Sequence, residues 1–312
     1  MPLTIGMAVY NEEKHIAEAV ESLLAQTYKD FTLLIVDNAS TDRTEEICRN
    51  YAQKDKRIVY LKNERNMGAF FSFCRILENT NTPFFVLCGG HDRWDPSFVE
   101  KLLPELGKDN VVLSYCQTRE INYDGIMGEV LKSDYGATVS DSPVKRYLYL
   151  LVRLNYSSGI FYGIWLTKTF KNCNFNVKTI GPDNILLERA SLEGKFKQHK
   201  EILFWMRSVR GEETQTQMIK RQSVDLVAGE SAAKANVIAL KIKYLIESAR
   251  IIFEKKYSLS VIEKIWLAIN MFFIKGIYFF IWPAVKAIFR KVLPNELYSR
   301  LRIVWHKKII KI

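Results

Sequence analysis

The sequence predicts an α/β protein: a mostly parallel sheet flanked by helices, followed by a helical C-terminal extension. Three observations predict it. Short apolar runs alternate with helical-period segments through residues 1–120. The 312 residues are 48% hydrophobic with only 15 Gly and 8 Pro, which is enough apolar side chain for a sizeable core and excludes a low-complexity chain. The last quarter differs in charge: residues 234–312 hold 16 Lys and Arg against 4 Asp and Glu, while residues 1–233 sum to −1. A basic appendage facing an anionic partner is expected, not a basic nucleic-acid-binding body.

Leu3–Val9 is a continuous apolar run and reads as a buried strand. Asn11-Glu12-Glu13 then offers an N-cap and first-turn acids for a helix in which Ile16, Val20, Leu23 and Leu24 repeat to about Gln26. Phe31–Val36 is a second strand, closing on Asp37-Asn38-Ala39-Ser40. Asp42-x-x-Glu45 has the form of a capping box for a helix through Ile47 and Tyr51. Ile58–Leu61 is a third strand, Gly68–Leu77 a helix and Phe84–Leu87 a fourth strand. Asp95-Pro96 offers a cap and a first-position Pro ahead of Phe98, Leu102 and Leu103. In such sheets ligands sit beyond the carboxyl ends of the strands. Those ends are Tyr10–Glu12, Asp37–Ser40, Asn63–Gly68 and Cys88–Asp92.

Residues 111–210 are less regular, with strands expected near Val111–Cys116 and Ile160–Trp165 and a helix at Pro182–Leu192. Lys234–Phe253 is amphipathic, with Ile238, Ile242, Leu245, Ala249 and Phe253 on one stripe. Ile265–Val285 is long and apolar but interrupted by Asn270, Lys275 and Pro283. Lys264, Lys275 and Lys286 fall nearly in line on a helix. Such a segment can lie in a membrane interface, span a bilayer, or dock on the folded body or a partner. A central Lys costs roughly 2.5–3.5 kcal/mol in a span, and the narrow polar stripe favours the interface. Arg290, Lys291, Arg300, Arg302, Lys307, Lys308 and Lys311 would then face anionic head groups. The expected division is a domain at 1–220 and a basic, apolar, membrane-associating extension at 221–312. Met1–Val9 lacks a positive start and soon meets Glu12-Glu13, so the body is expected on the cytoplasmic side. Five scattered Cys with no C-x-x-C pair agree with a reducing compartment.

Thr4-Ile5-Gly6-Met7-Ala8-Val9-Tyr10-Asn11-Glu12, Ser22-Leu23-Leu24-Ala25-Gln26-Thr27 and Leu34-Ile35-Val36-Asp37-Asn38-Ala39-Ser40-Thr41-Asp42 together resemble the opening of family 2 glycosyltransferases. These are inverting enzymes of the Rossmann-like GT-A fold that use nucleotide-diphosphate-sugar donors. The likeness runs through roughly residues 3–210 and is most specific in the first fifty. It implies a donor pocket lined by Ala8, Tyr10, Glu12, Asp37, Asn38, Arg65, Asn66 and Gly68. Taken alone, Asp37 also reads as a turn residue, Glu12 as a first-turn acid and Arg65 as part of an ordinary turn. Asp42 and Asp95 read better as helix caps than as ligands.

At the diphosphate the sequence departs from the family's Asp-x-Asp-Asp. Gly89-Gly90-His91-Asp92-Arg93-Trp94-Asp95-Pro96 keeps Asp92, puts His91 where the preceding Asp would be, and puts Gly89 where the first would be. Asp92 with His91 is the candidate holder of a divalent ion, and a nitrogen ligand tilts the preference from Mg²⁺ toward Mn²⁺. Arg93 is a candidate phosphate partner, and Gly90 completes the loop. By the same resemblance, Asp183 in Gly181-Pro182-Asp183-Asn184 is the catalytic base, heading a helix after Gly159-Ile160-Phe161-Tyr162-Gly163. The expected partners are a nucleotide-diphosphate sugar, a saccharide or lipid-linked acceptor and a membrane surface. The processive Gln-x-x-Arg-Trp signature is missing, so one transfer per encounter is expected. The alternative is a degenerate, non-catalytic binder or scaffold of the same fold, motivated by Gly89. No H-E-x-x-H, G-x-S-x-G or G-x-x-x-x-G-K-[ST] supports a zinc, serine-hydrolase or triphosphatase chemistry.

Overall fold

Four parallel strands open the chain: β1 (Leu3–Val9), β2 (Phe31–Asp37), β3 (Ile58–Lys62) and β4 (Phe84–Gly89). Val9 pairs with Asp37, Asp37 with Lys62 and Ala8 with Gly89, so their carboxyl ends line up along one edge. The helices α1 (Ile16–Leu24), α2 (Thr44–Lys54) and α3 (Ala69–Glu78) connect them. The computed structural model describes residues 1–131, 136–153, 158–173, 181–208 and 237–281. The boundary expected at 220/221, Lys286 and the basic residues from Arg290 onward lie outside these.

The chain continues as β5 (Arg93–Trp94), α4 (Phe98–Leu102), β6 (Val111–Ile121) and β7 (Met127–Leu131). Next come α5 (Pro143–Arg153), α6 (Ser158–Phe161), β8 (Ile164–Leu166), α7 (Thr167–Asn172), α8 (Pro182–Glu193) and β9 (Lys195–Arg207). The strands form one sheet in the order β3-β2-β1-β4-β8-β6-β9-β5, with β7 paired to β6. β8 runs antiparallel to both β4 and β6, while β6 and β9 run parallel. The result is a GT-A-like α/β fold with its parallel half first.

Side-chain alternation explains the layering. Leu3, Ile5, Met7 and Val9 meet the face covered by α1 and α4, with Leu33, Ile35 and Val86 beside them. Leu34, Val36, Phe85 and Leu87 point the other way, onto α3, α6, α7 and α8. Gly6 permits that second contact: a Cβ there would stand 2.2 Å from Ile76 Cγ2 of α3. Helix and strand would have to separate to admit it.

Local details differ from expectation where tertiary bonds outbid local ones. Asn11 does not cap α1, which begins at Ile16; it takes a left-handed φ of 55° and its side chain accepts from Thr41 N at 2.8 Å. The Asp42–Glu45 capping box does not form. Asp42 accepts from Thr44 N and Glu13 N, and Glu45 pairs with Arg49 and Lys62. Asp95 accepts from Ser97 N at 2.8 Å, so Pro96 precedes α4 instead of opening it. Of the strand expected at 160–165, only Ile164 and Trp165 belong to one, because Ile160 and Phe161 close the helical turn α6.

The extension supplies α9 (Val237–Phe253) and α10 (Val261–Gly276), followed by a π-helical turn at Ile277–Ile281. Both helices pack on α5 and α8: Tyr244, Leu245, Ile251, Ile252, Leu267 and Met271 join Tyr147, Leu151, Ile185 and Leu192 in a third core cluster. This corrects the expected stripe. Leu245 is buried, whereas Ile238, Ile242 and Phe253 are exposed. Lys275 leaves the expected polar stripe as well, because it turns inward and is buried against Glu188. Among the described residues, no helix is long and apolar enough to cross a membrane.

Candidate active site

The first strand ends are tied together before any ligand arrives. Ser40 Oγ accepts from Asn11 N at 3.0 Å, and Thr44 Oγ1 accepts from Glu12 N at 2.8 Å. Asp37 closes β2 with no exposed surface. Its Oδ1 accepts from Ser40 N at 2.8 Å and Ser40 Oγ at 2.7 Å, and its Oδ2 accepts from Tyr60 OH at 2.6 Å. Burial and this carboxylate push the Tyr60 phenol far above its usual range. Asp37 thus braces its own turn, in which Ala39 has a φ of 61°.

Beyond β3 an asparagine cluster, missed from the sequence, shapes the next loop. Asn38 Oδ1 accepts from Met67 N at 2.9 Å and from Asn63 Nδ2 at 3.0 Å, while Asn38 Nδ2 donates to Asn66 Oδ1 at 2.7 Å. Asn66 Oδ1 also accepts from Gly68 N at 3.0 Å, with Gly68 at a φ of 85°. Asn38 and Asn66 are therefore together. Arg65 is exposed at the rim, its Nε 3.3 Å from Met67 Sδ, and Tyr10 is exposed at the end of β1. Ala8 is half-buried one residue before that end.

The loop after β4 brings Glu12, Gly90, His91 and Asp92 together. His91 Nδ1 is 2.8 Å from Glu12 Oε1. Gly90 is boxed in: a Cβ there would lie 2.7 Å from Val9 Cγ1 and 3.1 Å from Glu12 Cγ. Asp92 is buried, and Oδ1 accepts from Arg207 N at 2.8 Å. Burial pushes its carboxyl up to about 6, against the opposing pull of His91 and that N–H. A Cβ on Gly89 would stand 2.9 Å from Asp92 Oδ2 and 3.4 Å from His91 Nε2, so both atoms border one small space. Among the described residues, no three His, Cys, Asp or Glu side chains are grouped to hold a metal ion. Asp92 Oδ2 and His91 Nε2 are the atoms there that could hold a cation.

Arg207, at the end of β9, was not singled out from the sequence. Its Nε donates to His91 O at 2.8 Å, Nη1 donates to Tyr123 O at 3.0 Å, and Nη2 pairs with Glu18. It clamps the loop to α1 and to the β6–β7 turn. A lone Arg closing the apolar run Leu203–Arg207 was the one available signal. Arg93 also reaches Glu18, at 3.2 Å, with its guanidinium over the Trp205 ring. In this arrangement it is drawn to those partners.

Asp183 sits half-buried in the first turn of α8, behind Gly181 at a φ of 57°. Burial raises its carboxyl above the usual range, and the Asn184 N–H partly offsets this. The Tyr162 ring packs against those of Phe161 and Phe204. Burial raises the pKa of its phenol, and the charges of Asp92 and Asp183 both raise it further. Asp92 stands in the loop after β4 and Asp183 at the head of α8. A raised carboxyl in that position suits proton abstraction from a hydroxyl.

The family model described as "Glycosyl transferase family 2" matches residues 4–193. An uncharacterized glycosyltransferase of Methanocaldococcus jannaschii is 40% identical over 101 residues, which is 32% of this chain and 35% of that protein. The chain spans roughly a third of the length of the curated relatives it matches first. The S. aureus TarS 1-349 crystal structure in complex with UDP-GlcNAc superposes with a TM-score of 0.64 at 18% identity, covering 89% of this chain and 73% of that one. The mannosyltransferase PcManGT from Pyrobaculum calidifontis, in complex with GDP-Man and Mn²⁺, gives 0.52 at 14% identity over 96% and 78%. At such identities the structures speak for the fold, and the family match rests on more than half of the sequence. The chain belongs to glycosyl transferase family 2.

Proposed function

We propose that this protein is an inverting glycosyltransferase. It moves one sugar per encounter from a nucleotide-diphosphate donor to a saccharide or lipid-linked acceptor in glycan biosynthesis, at the cytoplasmic face of a membrane. The observation that carries the reading is the grouping of Glu12, His91 and Asp92 at the carboxyl ends of the parallel strands, with His91 Nδ1 2.8 Å from Glu12 Oε1 and with His91 Nε2 and Asp92 Oδ2 bordering one small space at Gly89. The nucleotide class is supported by the fold's company: neighbours were solved with UDP-GlcNAc, UDP and GDP-Man.

The donor's nucleotide would lie over the ends of β1 to β3, against Ala8, Tyr10, Asn38, Arg65, Asn66 and Gly68, with Asp37 bracing the turn beneath. Its diphosphate would meet the Gly89–Asp92 loop, where Asp92 and His91 are the residues to hold Mn²⁺ or Mg²⁺. Such an ion neutralises charge on the departing diphosphate. Glu12 orients His91 through Nδ1. Asp183 takes the proton from the acceptor hydroxyl as that oxygen attacks the anomeric carbon on the face opposite the nucleotide, which inverts the centre.

The test is a thermal-shift screen of nucleoside diphosphates with Mn²⁺ or Mg²⁺, followed by donor turnover by the wild type, Asp183→Asn and Asp92→Asn. Metal-dependent nucleotide binding by the wild type, with turnover lost in both variants and binding kept by Asp183→Asn, is the expected result. A second reading, a non-catalytic nucleotide-sugar binder, is favoured by Gly89 standing where the family carries a carboxylate. Metal-independent binding with no turnover of any donor would establish that reading instead.

A further inference from the structure

We propose that the outer face of the α9–α10 pair is a membrane-contact plate that lies flat on an anionic bilayer. This deepens the proposed site of action. Phe253, Ile265, Ala268, Ile269, Phe272 and Phe273 line an open groove of about 540 Å³ between the two helices. Ile269 is 62% exposed and Phe273 68% exposed, while Leu267, Met271 and Lys275 on the other side of α10 are buried against the body. Soluble bodies rarely leave so continuous an apolar face to water. The inward turn of Lys275 matters here, because it removes the one cation from the middle of a helix that otherwise presents apolar side chains outward.

Charge selects the occupant. Lys243 on α9 and Lys255 just after it are exposed, while Arg250 is exposed but paired with Glu247 at 2.6 Å. The 31 residues that follow Ile281 carry eight Lys and Arg against one Glu. A second copy would bring the same positive surplus to the contact and be repelled, whereas anionic head groups are attracted. Among the described residues no helix can cross a bilayer, so the plate lies along it. The same two helices pack on α8, whose first turn holds Asp183. Docking would therefore hold that carboxylate at a fixed height above the lipid surface, where a lipid-linked acceptor hydroxyl is presented.

The experiment is flotation of the full chain, without donor, on vesicles of phosphatidylcholine alone or with phosphatidylglycerol. The wild type should float with the anionic vesicles and more weakly with the neutral ones. Ile269→Glu/Phe273→Glu should lower flotation about tenfold or more, with an unchanged melting temperature and an unchanged nucleotide thermal shift. Trp266 lies on the plate at 48% exposure, so lipid should shift the emission of the wild type to the blue more than that of Trp266→Phe. Undiminished flotation of the double variant overturns the plate even if the basic tail still brings the protein to membranes. So does a wild type that ignores anionic vesicles, or one that is a dimer split by the double substitution. None of these outcomes bears on transfer, which the donor assays read separately.

Discussion

Lys275 Nζ lies 2.5 Å from Glu188 Oε1, and both side chains are almost wholly buried, at 5% and 0% exposure. The pair joins α10 to the middle of α8. Ser248 Oγ accepts a second bond from Lys275, and Tyr244 OH donates to Glu188 Oε1 at 3.1 Å. Tyr147 OH donates to Glu188 Oε2 at 3.3 Å, and the ammonium sits 4.2 Å from the Tyr244 ring centroid. Burial lowers the lysine's pKa while Glu188 opposes that shift. With Arg189–Glu254 and Lys256–Glu193, both at 3.1 Å, this ion pair fixes the extension to the helix that carries Asp183.

Lys275→Met is expected to destabilise by about 3–5 kcal/mol, because it strands a buried carboxylate. Glu188→Gln/Lys275→Met should recover most of that loss. Urea unfolding of the three proteins measures both, and a single-variant cost under about 1 kcal/mol would contradict the enclosed pair.

Asp183→Asn should cut turnover by about 10²–10⁴-fold and leave the nucleotide thermal shift intact. The base must be ionised, so wild-type rate should fall as pH drops through its raised pKa, in a limb that the variant lacks. The stability sign is opposite to that of a salt-bridged acid. Its raised folded pKa favours the native state most below the unfolded value, and that contribution is lost as pH rises through the folded one. A pH series of melting temperatures, wild type against Asp183→Asn, reads this difference.

Gly90→Ala should destabilise by about 1–3 kcal/mol, since its methyl would lie 2.7 Å from Val9 Cγ1 and 3.1 Å from Glu12 Cγ. Displacing Glu12 would also release His91, so donor affinity should fall by more than the small volume change suggests. Titration calorimetry with nucleotide and Mn²⁺ tests it; unchanged affinity would remove Glu12 from the site.

Ala39→Gly should stabilise by about 0.5–1 kcal/mol. Ala39 holds a φ of 61°, where a Cβ is strained and glycine is not. Thermal unfolding of the variant measures the gain, and a loss would mean that the turn relaxes without glycine.

The four parallel strands and α8 were legible because each is written in consecutive residues: an apolar run for a doubly covered strand, Gly181-Pro182 for a helix start. The loop at Gly89–Asp92 was legible for the same reason. The Asn38–Asn63–Asn66 cluster and the Arg207 clamp were not. Their partners are separated by up to 116 positions, and a polar side chain's own neighbours do not say which carbonyl it will meet. Asn11 carried a sound local cap signal and gave it up to a bond with Thr41, while Asp42 divides its carboxylate between Thr44 N at the start of α2 and Glu13 N of the other loop.

The amino-acid order by itself determined the four parallel strands and the helices between them, that carboxylates and an imidazole stand at strand ends, and that the last quarter is basic and apolar. Only the tertiary structure decided that Asp37 is enclosed, that Glu12 meets His91, and that Lys275 faces inward while Ile269 and Phe273 face out. The reason is physical. Periodicity fixes the angle between residues on one helix, but the burial of a charge depends on a counter-charge supplied by a distant element, here Glu188.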